Sequence, residues 1–285
     1  MERRDDTSSE DGKRLIGKGL IHLVTADLEG VQEVTYSRYK DGEWSSVSTP
    51  VPRELPLAVY VNERELVTIL CTPVKLNFLI VGYLSVEGII SDPGEIASMR
   101  VCIDDSLADV RLSNSHPSLP ERRVLTTGCG GGVAFLADTK EIAPVESRLT
   151  VAPGQILSLM RRMQEQATLF ELSGGMHTSA LADEGNVLVM AEDVGRHNTL
   201  DKILGECLLR RIPTVDRLLL TTGRLSSEMV IKAARLRVPI VVSRSSPTSS
   251  AIALAQRFGI TVVGYARGSR LSVYTVEDRI RRDGS

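Results

Sequence analysis

The sequence predicts an α/β protein, because short apolar segments alternate with amphipathic helices through its second half. The apolar segments are largely uninterrupted, as in strands that are covered on both faces of a sheet. Strand–helix–strand units of this kind predict a parallel stretch of sheet. The predicted strands are residues 186–190, 217–220, 239–242 and 260–263, and the predicted helices between them are residues 198–210, 226–236 and 248–258.

The helices of this half are indicated by their apolar stripes and by their end signals. The third ends at Gly259, a residue type that suits the left-handed turn after a helix. A further helix over residues 155–169 precedes the alternating segments, and it also has helical spacing of apolar residues. The stripe of the first helix consists of Leu200, Ile203, Leu204, Cys207 and Leu208.

The first half predicts a smaller α+β domain with β-hairpins around one helix. Turns are signalled at Glu29-Gly30, Asp41-Gly42 and Asn62-Glu63. The helix follows Thr72-Pro73, since proline suits a first helical turn, and it extends to about residue 85. The predicted strands are residues 20–23, 31–39, 57–61, 65–70, 96–101 and 106–112.

A domain junction is predicted at Ala152-Pro153-Gly154, where a loop separates the two patterns. The first residues of the chain are charged and polar, a composition that is typical of disorder. We therefore predict a disordered tail over residues 1–15, an N-terminal α+β domain over residues 16–150 and a C-terminal domain over residues 151–285.

Composition limits the possible partners of the chain. The formal net charge of the 285 residues is −2, so no general affinity for nucleic acid or membranes is expected. Aromatic residues make up only 4%, which argues against a base-stacking surface. There is no apolar run of membrane-spanning length, and residues 1–13 lack the apolar segment of a signal peptide. The sequence therefore predicts a cytoplasmic protein with reduced thiols.

The candidate nucleophile is Cys129, which lies in Thr126-Thr127-Gly128-Cys129-Gly130-Gly131-Gly132. Glycines on both sides leave the thiol accessible, and Arg122 and Arg123 just upstream could favour its thiolate. The alternative is a small core residue beside a flexible turn. Cys71, Cys102 and Cys207 are interpreted as structural, and the four cysteines form no zinc-binding pattern.

Each predicted strand of the second half is followed by a polar turn that contains arginine. The carboxyl ends of parallel strands meet at one edge of a sheet, where ligands bind. Arginines, serines and helix N-termini at such an edge would suit a phosphate or pyrophosphate. Alternatively, Asn198, Ser226 and Ser246 or Thr248 only cap helices, and the arginines are solvated. The arginines of the four turns are Arg196, Arg224, Arg244, Arg267 and Arg270.

His177 and His197 are candidates for acid–base chemistry, or for holding a ligand. The alternative for each is a hydrogen-bonded, partly buried imidazole. The sequence contains no zinc-deaminase signature, no nucleophile elbow and no Walker A motif, so we expect no metal site.

Several motifs together resemble the FdhD family, the formate dehydrogenase accessory proteins that act as sulfurtransferases. The resemblance extends from about residue 20 to residue 275. In the first half it includes Glu54, Pro56-Leu57, Val61-Asn62, Thr72-Pro73 and Glu87-Gly88-Ile89-Ile90. In the second half it includes Gly174-Gly175-Met176-His177, the segments 192–198, 222–224 and 264–270, Asp201-Lys202, Glu228-Met229, Pro247-Thr248-Ser249 and Val273-Tyr274-Thr275.

The resemblance implies a fold and a function. The implied C-terminal domain is a cytidine-deaminase-like three-layer domain without zinc chemistry, beside a smaller α+β N-terminal domain. The implied activity moves sulfur from a cysteine desulfurase to the molybdenum (or tungsten) bis(molybdopterin guanine dinucleotide) cofactor of formate dehydrogenase. A homodimer is also implied.

The resemblance further assigns roles to residues of this chain. Cys129 matches the cysteine that carries the persulfide. The cofactor-binding stretch corresponds to Tyr265, Ala266, Arg267, Gly268, Ser269 and Arg270. GDP or GMP could therefore mimic part of the cofactor in binding experiments.

One position departs from the family pattern. Many members have a second cysteine in the loop, where this chain has Gly132. A persulfide needs only one thiol, so Cys129 could act alone. The departure also leaves open a chaperone that holds the cofactor without sulfur-transfer chemistry. A third hypothesis is a nucleotide hydrolase that uses His177 or His197.

Overall fold

A computed structural model of the protein describes residues 30–114 and 142–282. It also describes the backbone of four short strands, β1 (Leu15–Ile16), β2 (Gly19–Leu20), β9 (Arg123–Leu125) and β10 (Val133–Phe135). The predicted disordered tail lies outside the described residues, apart from Leu15. Within the described part of the chain, no helix is long and apolar enough to cross a membrane.

The N-terminal half contains a four-stranded sheet in the order β6-β5-β8-β7. The hairpin β5–β6 is antiparallel, β8 pairs parallel to β5, and β7 pairs antiparallel to β8. One face of the sheet packs against helix α1 and forms a hydrophobic core with it. The strands are β5 (Leu55–Val61), β6 (Arg64–Cys71), β7 (Ile96–Cys102) and β8 (Leu107–Leu112), and the helix is α1 (Leu76–Val86).

Before this sheet, strands β3 (Val31–Lys40) and β4 (Glu43–Pro52) form a separate antiparallel hairpin. Most of its side chains are exposed. The turn between the strands is at Asp41 and Gly42, both with positive φ, as predicted from this dipeptide. Helix α1 begins at Leu76, three residues beyond the predicted Pro73, and a 3-10 turn occupies Pro93–Glu95.

The C-terminal half is built on a six-stranded sheet in the order β12-β11-β13-β14-β15-β16. Its middle strands β13, β14 and β15 are parallel, as the sequence predicts, and the other pairings are antiparallel. The strands are β11 (His177–Ala182), β12 (Val187–Asp193), β13 (Leu218–Thr221), β14 (Ile240–Ser243), β15 (Thr261–Arg267) and β16 (Arg270–Val273).

Helices cover both faces of this sheet, so the C-terminal half has three layers. One face packs on α2, and the opposite face packs on α4, α5 and α6. This arrangement explains the uninterrupted apolar strands, because alternate side chains enter different cores. The helices are α2 (Pro153–Glu165), α3 (Thr168–Ser173), α4 (Arg196–Arg210), α5 (Ser227–Arg235) and α6 (Ser249–Arg257), and a 3-10 turn follows at Glu277–Arg279.

Three details of the predicted C-terminal elements are wrong. The helix predicted over residues 155–169 is two helices, because α2 ends at Glu165 and α3 begins at Thr168. Strands β11 and β16 were not predicted. The last parallel strand continues to Arg267, because β16 pairs with it beyond the predicted end. The mixed α/β class is confirmed, and the cytidine-deaminase-like arrangement stays a prediction.

Helices α1 and α4 join the two halves at a glycine crossing. A Cβ atom on Gly82 would lie 1.8 Å from the carbonyl oxygen of Asp201. A Cβ atom on Gly205 would lie 1.9 Å from the carbonyl oxygen of Phe78. The two helix backbones are therefore in direct contact, and only glycine permits this at both positions. The domain boundary at residue 150 stays a prediction, since the halves share this interface.

We predict that Gly82→Ala prevents stable folding or lowers the free energy of unfolding by several kcal/mol. The added methyl group would overlap backbone atoms of α4, which cannot rotate away as a side chain could. Gly154→Ala is the matched control, because its Cβ would meet no atom within 4 Å and it lies in α2. This control should be neutral or stabilising by up to about 1 kcal/mol. Urea unfolding measures both, and equal stabilities would contradict the close helix contact.

Candidate functional site

The candidate site is the edge of the C-terminal sheet where four strands end. Strands β12 and β13 are both antiparallel to β11, so they run in the same direction as β14 and β15. The four arginine-bearing turns are therefore at one edge, as predicted. Strand β11 begins at this edge and places His177 opposite Asp193.

Backbone hydrogen bonds join neighbouring turns along this edge. The amide of Thr222 donates to the carbonyl of Thr178 at 2.9 Å. The amide of Arg244 donates to Thr221 at 3.0 Å, and that of Tyr265 donates to Ser245 at 3.0 Å. The turns after β13, β14 and β15 are thus held in fixed register with one another.

A buried ion pair lies beneath the edge, between Asp193 at the end of β12 and Lys202 in α4. Lys202 Nζ is 2.6 Å from Asp193 Oδ2, and both side chains are fully buried. Lys202 also donates to the carbonyls of Thr72 and Glu192, at 3.1 and 3.2 Å. The amide of Thr72 completes the network by donating to Asp193 Oδ2 at 3.0 Å. Such complete pairing is what a buried ion pair requires.

The same network holds the N-terminal half against the edge. Asn198 donates to the carbonyl of Leu70 at 2.7 Å and to Asp193 Oδ1 at 2.8 Å. The amide of Val194 donates to the hydroxyl of Thr72 at 3.1 Å. Asn198 therefore joins the two halves, and the prediction that it caps a helix is wrong. Thr72 and Lys202 were not predicted as site residues, because their pairing depends on long-range contacts.

Two of the proposed helix caps are confirmed. Ser226 accepts from the amide of Met229 at 3.5 Å and caps α5. Thr248 accepts from the amide of Ala251 at 3.2 Å and caps α6. These two hydroxyls therefore have structural roles at the edge.

His197 is a neutral imidazole in this structure. Burial, with smaller effects from the cations Lys232 and Arg196, lowers its pKa to about 2. Its Nε2 lies 3.3 Å from both Ser226 Oγ and Glu228 Oε2. The contact with Glu228 is thus a hydrogen bond to a neutral ring, which agrees with the partly buried imidazole considered above. Burial raises the pKa of Glu228.

His177 is half-buried, and burial lowers its pKa, with a smaller effect from Arg196 in the same direction.

A second buried ion pair joins α4 to α5, and in it Lys232 Nζ is 2.7 and 2.6 Å from the two oxygens of Asp201. Within residues 30–114 and 142–282, no three His, Cys, Asp or Glu side chains are grouped to hold a metal.

The predicted cofactor segment forms a strand, a tight turn and the start of the next strand. Arg267 and Arg270 are paired across the turn, whose Gly268 has φ of +60°. Tyr265 is exposed, and the guanidinium of Arg267 lies 5.9 Å from its ring centroid. Ala266 is 1% exposed and belongs to the core, so its side chain is not available to a ligand.

A model of the FdhD/NarQ family matches residues 52–281 of this chain. The chain belongs to the FdhD/NarQ family. Two relatives, each named "Sulfur carrier protein FdhD", come from Bacillus subtilis and Bacillus pumilus. The first is 39% identical over 251 residues, which is 86% of this chain and 95% of the relative. The second is 38% identical over 250 residues, which is 85% of this chain and 95% of the relative.

A solved structure is similar to this chain as well. It is the crystal structure of a protein from Desulfotalea psychrophila, provisionally named a formate dehydrogenase accessory protein. The TM-score is 0.73 at 31% sequence identity, and the match covers 88% of this chain and all of that chain. The family resemblance inferred from the motifs is therefore confirmed.

Cys129, which the sequence analysis predicts to carry the persulfide, lies outside the described residues. The chain segment that contains it connects β9 to β10, which pair as antiparallel strands with Leu125 opposite Val133. Burial raises the pKa of Cys207 to about 12 and also raises that of Cys71, so these thiols are poor nucleophiles. Cys102 is half-buried.

The depressed pKa of His197 predicts that acid destabilises the protein. Its folded pKa of about 2 lies below the unfolded value of 6.5, so the unfolded chain alone takes up this proton between those pH values. The contribution of His197 is present above pH 6.5 and is lost by up to about 1.4 kcal/mol per pH unit below it.

Urea unfolding of the wild type and His197→Gln at pH 7.0, 6.0 and 5.5 would measure this loss. The variant should show a shallower decline of stability as the pH falls. His177→Gln is the companion variant, because it reports the smaller effect of the other histidine at the edge. Identical pH dependence of the wild type and His197→Gln would contradict a buried neutral ring.

Proposed function

We propose that this chain is a sulfur carrier that serves the maturation of formate dehydrogenase. Its substrates are the persulfide of a cysteine desulfurase and the molybdenum bis(molybdopterin guanine dinucleotide) cofactor. The observation that carries the proposal is the 39% identity, over 86% of the chain, to a protein named "Sulfur carrier protein FdhD". The name of the related crystal structure supports formate dehydrogenase as the enzyme that is served.

The charges and hydrogen-bond donors of the strand edge support cofactor binding. The exposed Arg267 and Arg270 make no ion pair with any described residue, so both are available to phosphate groups. Tyr265 offers an exposed aromatic face beside them, on which a guanine base could stack. The segment thus contains the residue types that a guanine nucleotide requires.

The sulfur chemistry needs one thiol and no separate oxidant. The Cys129 thiolate attacks the outer sulfur of the desulfurase persulfide, and the S–S bond of that donor breaks. The donor leaves as a thiolate, and Cys129 becomes a persulfide. In delivery, the acceptor supplies the electron pair that bonds the outer sulfur, and Cys129 leaves as a thiolate. Gly132, in place of a second cysteine, is compatible with this sequence of steps.

We predict that Cys129→Ala abolishes activation of formate dehydrogenase and leaves the affinity for GDP nearly unchanged. Incubation with a desulfurase and cysteine should add the mass of one sulfur atom to the wild type and none to the variant. Cys102→Ala is the matched control, since it removes another thiol that is not fully buried, and it should still gain the sulfur. Full activation by Cys129→Ala would contradict the carrier role.

The same mass measurement separates the carrier from a cofactor chaperone. Gly132 is the observation that favours the chaperone, because it rules out a resolving disulfide within the loop. A chaperone would bind GDP and gain no sulfur on Cys129. Homodimer formation, which the family resemblance implies, stays a prediction that light scattering would test.

We predict that Arg267→Ala and Arg270→Ala each weaken GDP binding about tenfold, because each removes a charge-assisted hydrogen bond worth about 1.5 kcal/mol. Isothermal titration with GDP and GMP measures the loss. Arg161→Ala is the control, because Arg161 is an exposed arginine on α2. An unchanged affinity for GDP in both variants would contradict the assignment of nucleotide binding to residues 265–270.

A further inference from the structure

Arg196 is a buried cation that forms no close ion pair with any described carboxylate. Its side chain is 5% exposed, and its Nε is buried without a hydrogen-bond acceptor. An arginine does not lose its proton in proteins, so burial cannot neutralise it. An unpaired buried charge costs several kcal/mol, and a site that keeps one therefore points to an anionic ligand.

The carboxylates near Arg196 are already bonded to other groups. Asp193 pairs with Lys202 at 2.6 Å, and Asp201 pairs with Lys232 at 2.6 Å. Glu228 accepts from His197 at 3.3 Å. Arg196 is near enough to Glu228 to lower the pKa of that carboxyl against the larger effect of burial, but no ion pair among the described residues includes Arg196, and its Nε donor remains without an acceptor at the strand edge.

The position of Arg196 depends on a glycine in the neighbouring turn. A Cβ atom on Gly223 would lie 2.9 Å from the Cβ and 3.1 Å from the Cδ of Arg196, so the arginine stem lies directly over the turn after β13. The guanidinium is also close enough to His177 to lower its pKa, an effect second to burial. Arg196 therefore lies between the turn after β13 and the start of β11.

Helix α4 begins at Arg196, and its first turn offers further donors. The N-cap residue is Gly195, which has no side chain to accept from the free amides. The other long helices at this edge, α5 and α6, are capped by Ser226 and Thr248. The uncapped N-terminus of α4 and the unsatisfied Arg196 Nε thus combine at one place, and this set of donors suits the oxygens of a phosphate.

We propose that Arg196 and the N-terminus of α4 bind a phosphate group, as a second anion subsite apart from the 265–270 segment. The identity of the ligand rests on the proposed function, because each half of the proposed cofactor carries a diphosphate. Arg267 and Arg270 would neutralise part of the negative charge of these phosphates, and Arg196 would neutralise another part.

Isothermal titration of the full chain with pyrophosphate, GDP and guanosine tests the subsite. Arg196→Gln should weaken pyrophosphate and GDP binding about tenfold or more, the loss expected for charge-assisted hydrogen bonds, and leave guanosine binding unchanged. Arg161→Gln, an exposed arginine on α2, should bind all three probes as the wild type does. Wild-type affinity of Arg196→Gln for pyrophosphate and GDP would overturn the proposal.

A second measurement shows whether Arg196→Gln is folded. Removal of an unpaired buried charge should leave the melting temperature without ligand equal to or above that of the wild type. A lower melting temperature without ligand would indicate that Arg196 has a structural partner and would also overturn the proposal. Arg196→Lys keeps the charge and loses the fork geometry, so it should bind pyrophosphate with intermediate affinity.

The titrations also separate this subsite from the proposed function. Suppose that Arg267→Ala and Arg270→Ala leave the affinity for GDP unchanged, while Arg196→Gln weakens pyrophosphate binding. The assignment of nucleotide binding to residues 265–270 is then wrong, and the phosphate subsite is supported. If the wild type binds guanosine and GDP equally and does not bind pyrophosphate, the subsite is wrong while the sulfur-carrier role is unaffected.

Discussion

The buried contact between Asp193, Lys202 and Thr72 is the interaction on which the arrangement of this protein depends. Asp193 ends a strand of the large sheet, Lys202 belongs to the helix that follows, and Thr72 comes from the other half of the chain. Because both charges are fully buried, loss of either partner would leave an uncompensated charge in the core. The pair therefore favours only the arrangement in which the two halves and the strand edge are in register.

Helix α4 connects this core to the functional edge. Its middle crosses α1 at Gly205, where the two backbones are too close for any side chain on either glycine. Its first residues, Arg196 and His197, reach the edge where the four turns meet. Since the helix is fixed along its length by the Gly205 crossing and the Lys202 pair, the positions of its first side chains are set in advance of any ligand. Preorganised donors of this kind lose little entropy on binding.

The electrostatics of the edge favour anion binding over acid–base catalysis. Both described histidines have lowered pKa values, and the His197 ring is hydrogen-bonded to Glu228. In contrast, Arg196 presents a buried Nε donor that has no hydrogen-bond acceptor among the described residues. An edge with neutral imidazoles and exposed guanidinium groups is suited to hold phosphate groups.

The sequence by itself determined the local elements and the chemistry of single residues. Apolar periodicity predicted β13 to β15 and α4 to α6, because each of these elements is defined by its own side chains. Strand β11 was not predicted, since it carries small and polar residues whose burial comes from neighbours on both sides. The motifs predicted family membership and the reactive role of Cys129. Only the tertiary structure decided that Lys202 meets Thr72 and that Arg196 Nε has no hydrogen-bond acceptor among the described residues, because these are properties of contacts between segments distant in sequence.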